Sequence, residues 1–296
     1  MNPPNAEPPR ISVIVPHFND LANLDNCLTS LANQTIGQCT VEIIVADNDS
    51  PCGQDAVQSA IAGRARLVCV RERGAGPARN GGVAAAYGSL LAFTDSDCRP
   101  APEWLAEGIA ALSDYDFVGG RVEVSVADER RMTPTEAFEK VFAFDFETYI
   151  NRKGFTGSGN LFVPRSIFEA VGGFGSSVSE DVDWSRRAIG QGYRLGYAPR
   201  AVVTHPARRD WAELRQKWLR INRETFELQK QSRGGRVRWL AKTMLLPASA
   251  IAHMPRVLRS RKLRTARERS GAVAVLFLCR VWRFGDALKL AISGLR

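Results

Sequence analysis

Histidine and cysteine are the scarce residues of this chain. Three histidines and six cysteines stand in 296 residues, and no two cysteines form Cys-x-x-Cys. That scarcity argues against a structural zinc site, whose ligands come from these residue types at short spacing. Cys27, Cys39, Cys52, Cys69, Cys98 and Cys279 read instead as free thiols of a reducing cytoplasm. Long apolar runs are also missing. The most apolar C-terminal stretches, 239–254 and 271–282, fall short of the ~18–20 uninterrupted residues that cross a bilayer. The opening segment is polar and proline-rich, without the charged and apolar regions of a signal peptide, so residues 1–9 are expected to be a disordered lead-in.

What is present is an ordinary globular composition, 45% hydrophobic and 24% charged. It suits one large α/β domain with an appendage, or two small domains. The net charge of +9 conceals a split. Residues 1–232 hold 25 Lys and Arg against 29 Asp and Glu, whereas 233–296 hold 15 against 2, so the net charges are −4 and +13. Basicity belongs to the C-terminal segment, and such an asymmetry suggests a tail that meets an anionic surface. The expected organisation is therefore a catalytic domain over 10–232 followed by a basic amphipathic helical tail over 233–296, with Gly234-Gly235 near the boundary.

Residues 10–100 alternate strand and helix. Short β-branched strands are expected at 10–16, 41–46, 66–70 and 89–94. Helices are expected between them, the first carrying Leu21, Leu24, Leu28 and Leu31, the third running from Ala78 to Tyr87 after a Gly74–Pro77 turn. Apolar strands separated by helices imply a mostly parallel central sheet flanked by helices, an α/β fold. Beyond residue 100 the pattern loosens. The stretch Phe138 to Tyr149, rich in aromatics and acids, reads either as an acceptor-side lining or as a packed helix. A helix N-capped by Ser179 is expected next, with Val182, Arg186 and Ile189 on one face, and another over 210–230.

Ligands of such sheets bind beyond the carboxyl ends of the strands. His17, Asn19 and Asp20 follow the first strand, Asp47, Asn48 and Asp49 the second, and Asp95-Ser96-Asp97 the fourth. Carboxylates one residue apart at a strand end are poor core residues and good ligands for a hard divalent cation, which in turn suits a diphosphate. The tripeptide alone is equally compatible with a solvated turn. Asp47 can accept a hydrogen bond from a pyrimidine N3–H, form an Asx-turn, or do both. Arg79 can reach a phosphate, support the sheet ends or form a structural ion pair.

Seven segments occur in order: Ser12–Pro16, Ile44–Ser50, Gly76–Gly82, Phe93–Asp97, Val171–Phe174, Ser179–Arg187 and Val202–His205. Together they resemble a family 2 inverting glycosyltransferase of the GT-A fold, of bacterial polysaccharide type, over roughly residues 10–230. The resemblance implies a nucleotide-sugar donor and a Mg2+ or Mn2+ cofactor. It implies Asp97 as the direct metal ligand, Asp95 on the ribose or on the metal through water, and His205 completing the site. It implies a nucleotide site lined by Pro16, His17, Asp47, Arg79, Asp95 and Ser96. An inverting displacement calls for a base to take the acceptor hydroxyl proton; Asp181 occupies the family's base position, with Glu180 as the fallback, although both also favour a helix N-terminus.

The tail adds an expected partner. Basic helices with aromatic and aliphatic faces suit the headgroup region of an anionic leaflet, where a lipid-linked acceptor resides, and equally suit packing on the core or a dimer contact. The protein is thus expected in the cytoplasm, peripheral at the inner face of the cell membrane, building cell-surface polysaccharide or glycolipid. No nucleic-acid recognition motif accompanies the charge. A nucleotidyltransferase is the alternative enzyme, but it calls for a glycine-rich basic loop after the first strand, where Pro16-His17-Phe18-Asn19-Asp20 stands. A non-catalytic saccharide-binding or scaffold protein is the third reading.

Overall fold

A computed structural model describes residues 11–37, 39–175, 179–230 and 232–293. The expected lead-in, 1–9, lies outside the described residues. The chain divides into two compact units, one comprising Met1–Glu123 and Phe144–His205, the other Val124–Ala143 and Pro206–Arg296.

The first unit is built on strands β1 (Ile11–His17), β2 (Val41–Asp47), β3 (Arg66–Cys69), β4 (Leu90–Thr94), β5 (Arg99–Pro100), β6 (Phe117–Ser125), β7 (Asn160–Pro164) and β8 (Leu195–Pro206). They form one sheet in the order β3-β2-β1-β4-β7-β6-β8-β5. The first four run parallel, as the sequence pattern predicts. From β7 onward the recorded pairings are antiparallel, β7 with β4 and β6, and β5 with β8, so the sheet is mixed. Alternation along each strand feeds two cores. Val13, Val15 and Val45 point to one, Ile14 and Ile44 to the other.

Helices cover both faces. On the first lie α1 (Leu21–Ala32), α2 (Gln54–Ile61) and α4 (Trp104–Ala111), through Leu24, Leu28, Val57, Ile61 and Trp104. On the second lie α3 (Ala75–Ala85), α7 (Arg165–Val171) and α8 (Glu180–Gly190), through Val83, Phe168, Trp184 and Ala188. Trp104 is wholly buried and donates to Asn160 Oδ1 at 2.8 Å, while Asn160 Nδ2 donates to the carbonyls of Arg121 and Ala201. A buried amide so satisfied locks β7 against its neighbours, since an unpaired polar group there costs ~1–3 kcal/mol.

Several expectations are corrected. Helix α3 begins at Ala75, inside the supposed turn, because Gly74 takes φ 128° as its N-cap and Pro77, with its fixed φ, is tolerated in the first turn. Helix α8 buries Trp184, Ser185 and Ala188, and Ile189 is exposed. The Trp184 indole donates to Gly172 O at 2.9 Å, which sets the helix rotation. Ser179 occupies the N-cap in a left-handed conformation without a side-chain capping bond. The aromatic stretch is two helices, α5 (Pro134–Phe142) and α6 (Phe146–Lys153), broken where Phe144 turns to φ 55°. Phe138 and Val141 pack in one core and Phe146 and Ile150 in another, so most of these side chains hold the fold.

The second unit gathers α5, α9 (Trp211–Lys230), α10 (Gly235–Met244), α11 (Leu246–Leu258) and α12 (Ala266–Ser293). Its core joins Phe138, Leu214, Ala250, Val257, Ala272 and Leu276. Buried within it, Glu139 receives Arg208 Nη1 at 3.1 Å and Lys217 Nζ at 2.8 Å. Burial pushes the Glu139 carboxyl up, but the two cations outweigh it and hold it below its ordinary value. The break expected at 232/233 falls inside this unit, because α5 and α9 share its core with α12.

Candidate active site

The parallel strands end together. In the register of β1 and β2, His17 stands beside Asp47, and Asp95 follows the last residue of β4. His17 and Asp47 are both buried. Asp20 N–H donates to His17 Nε2 at 3.1 Å, so that nitrogen is the acceptor and Nδ1 carries the proton it gives to Asp47 Oδ1 at 2.8 Å. Ser50 closes the arrangement, its N–H 3.0 Å from Asp47 Oδ2 and its hydroxyl 2.5 Å from Oδ1. Asn19 N–H donates to the same hydroxyl. Burial raises the Asp47 carboxyl, yet the bonds from Ser50 and His17 prevail and hold it below its ordinary value. Asp47 thus ties down its own loop through Ser50, three residues on, and His17 supports the two loops rather than facing solvent. Pro16 is half-buried directly before them.

Asn48, placed at the strand ends by the sequence but given no role there, holds the next loop. Its Nδ2 donates to Val70 O and Glu72 O, and its Oδ1 accepts Gly74 N–H at 2.8 Å. That anchors the entry to α3 and so the position of Arg79. Arg79 is 4% exposed, and its guanidinium bridges two chain segments. Nη2 lies 2.6 Å from Asp95 Oδ1 and Nη1 2.8 Å from Glu180 Oε1. Of the readings open to Arg79, the structural ion pair is the one formed, and it is formed among the predicted site residues themselves.

Asp95, Ser96 and Asp97 are half-buried. A Cβ added at Gly159 would stand 2.6 Å from Asp95 Oδ2, so the small residue leaves room for that carboxylate. Strand β8 returns antiparallel to β5 with Thr204 opposite Arg99, which carries His205 back to the tripeptide. His205 Nε2 lies 3.1 Å from Asp97 Oδ2, and the Phe144 ring covers the imidazole at a centroid distance of 4.6 Å. The three predicted metal residues therefore share one corner.

Cys98 was not among the expected residues. One ligand atom each from Asp95, Asp97 and Cys98 can lie within 4.8 Å of one another. The turn closed by Cys98 N–H to Asp95 O brings the thiol to the carboxylates. Burial first, then Asp95 and Asp97, push that thiol well up, and hard cations such as Mg2+ and Mn2+ favour oxygen donors over a sulfur. Carboxylate oxygens with a neighbouring imidazole form a donor set suited to Mg2+ or Mn2+.

Asp181 and Glu180 open α8 and are both half-buried. Glu180 is committed to Arg79. Asp181 Oδ1 accepts Val182 N–H at 2.7 Å. Its carboxyl is raised to about 6, by burial first and by Glu180 second, with Arg79 opposing. The two neighbours are thus pushed apart in character. One is an ion-paired support, the other a carboxylate that takes up a proton near neutrality.

Comparison with known proteins follows this geometry. The glycosyl transferase family 2 model matches residues 12–174, more than half of the chain. The glycosyltransferase AglE of Haloferax volcanii is 29% identical over 282 residues, covering 93% of this chain and 92% of AglE. Among solved structures, the mannosyltransferase PcManGT from Pyrobaculum calidifontis, in complex with GDP-Man and Mn2+, aligns at TM-score 0.53 and 20% identity, covering 96% of this chain and 74% of that one. GalNAc-T7 with UDP, GalNAc and Mn2+ aligns at TM-score 0.54 and 18% identity, covering 69% of this chain and 45% of that one. These likenesses establish the GT-A fold.

Proposed function

The chain belongs to glycosyl transferase family 2, and we propose that it moves a sugar from a nucleotide-sugar donor, UDP-sugar in preference, to a hydroxyl of a saccharide or lipid-linked acceptor with inversion. Family membership sets aside the nucleotidyltransferase and non-catalytic alternatives. The observation that carries the reading is the Arg79 bridge. It joins Asp95, at the corner suited to a cation, to Glu180, the chain neighbour of the proposed base.

Asp95, Asp97 and His205 would hold a divalent cation. When bound, it neutralises charge that develops on a departing diphosphate. Mn2+ and a nucleotide or nucleotide-sugar in both aligned complexes support that assignment. Pro16 and Ser96 line the nucleotide side, while the His17–Asp47–Ser50 network holds the loops there. Asp181 removes the proton from the acceptor hydroxyl as it attacks the anomeric carbon. A carboxyl raised to about 6 is better matched to that transfer at neutral pH than an ordinary aspartate, and is still ionised. Glu180, neutralised by Arg79, keeps the helix start in place. The product class is cell-surface polysaccharide or glycolipid, made by a peripheral cytoplasmic enzyme.

The test is substitution of Asp181 by Asn with two readouts. Transfer is expected to fall by three orders of magnitude or more, while donor binding in the presence of Mn2+ stays within a few fold. An Asp181→Asn protein that still transfers sugar excludes the base assignment.

A further inference from the structure

Helix α12 is apolar on two opposite sides. Ala272, Val275, Leu276 and Cys279 are buried in the second unit's core, as are Ala287 and Ala291 farther along. At 100° per residue, Ala274, Phe277, Leu278, Val281, Leu288 and Ile292 fall on the opposite arc. Phe277 is 37% exposed, Leu278 47%, Val281 57% and Ile292 65%. No charged residue lies on that arc between Ala274 and Ile292, a length of about 27 Å. Single exposed apolar residues are ordinary on soluble proteins, but a continuous uncharged stripe marks a contact surface.

The charge beside the stripe identifies what it contacts. The segment entering α12 exposes Arg259, Arg261, Lys262, Arg264 and Arg267 within nine residues. Residues 233–296 as a whole carry a net charge of +13. A second copy of this surface would bring like charges together, which opposes self-association through it. An anionic bilayer supplies the complementary charge at its headgroups and an apolar layer just below them. Among the described residues no helix is long and apolar enough to cross a membrane, so the contact is superficial.

We propose that α12 lies in the headgroup region of an anionic membrane, with Phe277, Leu278, Val281 and Ile292 inserted and the 259–267 cluster on the lipid phosphates. The surface belongs to the second unit alone, so the proposal stands or falls independently of the transferase chemistry.

Flotation of the full chain with vesicles tests it, comparing phosphatidylcholine alone with a phosphatidylglycerol mixture. Binding is expected to the anionic vesicles only, and to weaken steeply from 50 mM to 500 mM salt. Arg261→Gln with Arg264→Gln is expected to lower affinity on the order of thirtyfold, from ~1 kcal/mol per basic residue near the surface. Phe277→Ser with Val281→Ser is expected to abolish flotation with only a small drop in melting temperature, since Phe277 is 37% and Val281 57% exposed. Absence of binding at low salt overturns the proposal. So does binding that survives the Phe277/Val281 change, or a stable dimer in light scattering that this change dissolves. Donor binding by the same variants verifies that the first unit is intact.

Discussion

Arg79 reaches Asp95 across 2.6 Å from inside the protein, and the same guanidinium holds Glu180 at 2.8 Å. Burial by itself disfavours the cation, but Asp95 and Glu180 outweigh it and keep Arg79 charged. Removing one partner of such a pair costs up to ~3–5 kcal/mol in fully buried cases. Here both carboxylates are partly exposed, so Arg79→Ala is expected to cost about 2 kcal/mol in urea unfolding. Arg79→Lys can satisfy only one partner well and is expected to recover less than half of that loss. Full recovery by lysine would mean that the two-pronged geometry is immaterial.

Asp181 gives a pH prediction of definite sign. Its folded carboxyl stands at about 6 against an ordinary 3.8, so the native state binds the proton more tightly than the unfolded chain. Stability therefore falls as pH rises from about 4 to about 6, and the cost is fully present above that window. Asp181→Asn should be more stable than the parent at pH 7.5, by about 1–2 kcal/mol after allowance for solvent screening. The gain should vanish near pH 4, and thermal unfolding across pH measures it. Activity of the parent should rise through pH 6 as the base ionises. A pH-independent stability difference would remove the assigned shift.

The metal corner is tested by ligand-induced stabilisation, which does not require turnover. With Mn2+ and a UDP-sugar present, the parent's melting temperature should rise, and EDTA should reverse most of the rise. Asp97→Asn and His205→Ala should each lose at least half of it. Cys98→Ser should retain it, since Mg2+ and Mn2+ favour the carboxylate oxygens over a thiol. Loss on Cys98→Ser alone would move the site from hard donors to the sulfur.

Much of this arrangement was legible from strand ends. In a parallel sheet every carboxyl end lies on one side, so His17, Asp47 and Asp95 had to converge once four strands were recognised. What was not legible depended on pairings distant in sequence. Nothing near Asp97 tells that β8 returns against β5 with Thr204 opposite Arg99, although that register delivers His205. Cys98 was missed because a residue next to Asp97 points away in an extended strand, whereas here a turn folds it back. The roles of Arg79 and Glu180 were left open because an ion pair between residues 101 positions apart has no local signal. Which face of α8 is buried was not read from sequence: it is the one carrying Trp184, Ser185 and Ala188, and the indole bond from Trp184 to Gly172 holds it.

Gly159 offers the most local test of how Asp95 is held. An added Cβ would stand 2.6 Å from Asp95 Oδ2, closer than real contacts allow, and 3.2 Å from its Cγ, which is tight. A carboxylate at the end of a free side chain could swing aside cheaply, but this one is tied to Arg79 at 2.6 Å. Gly159→Ala must therefore stretch the ion pair or shift the start of β7, whose Asn160 lies opposite Thr94. The expected cost to the fold is about 1–2 kcal/mol, the usual range for crowding a packed position. The larger effect should appear in ligand binding. Stabilisation by Mn2+ with a UDP-sugar should fall at least fivefold in apparent affinity, while Gly154→Ala, at φ 66° with only an ordinary 3.7 Å contact to Ile189, should change only stability. Undiminished donor affinity in Gly159→Ala would show that the Asp95 carboxylate need not occupy its present place.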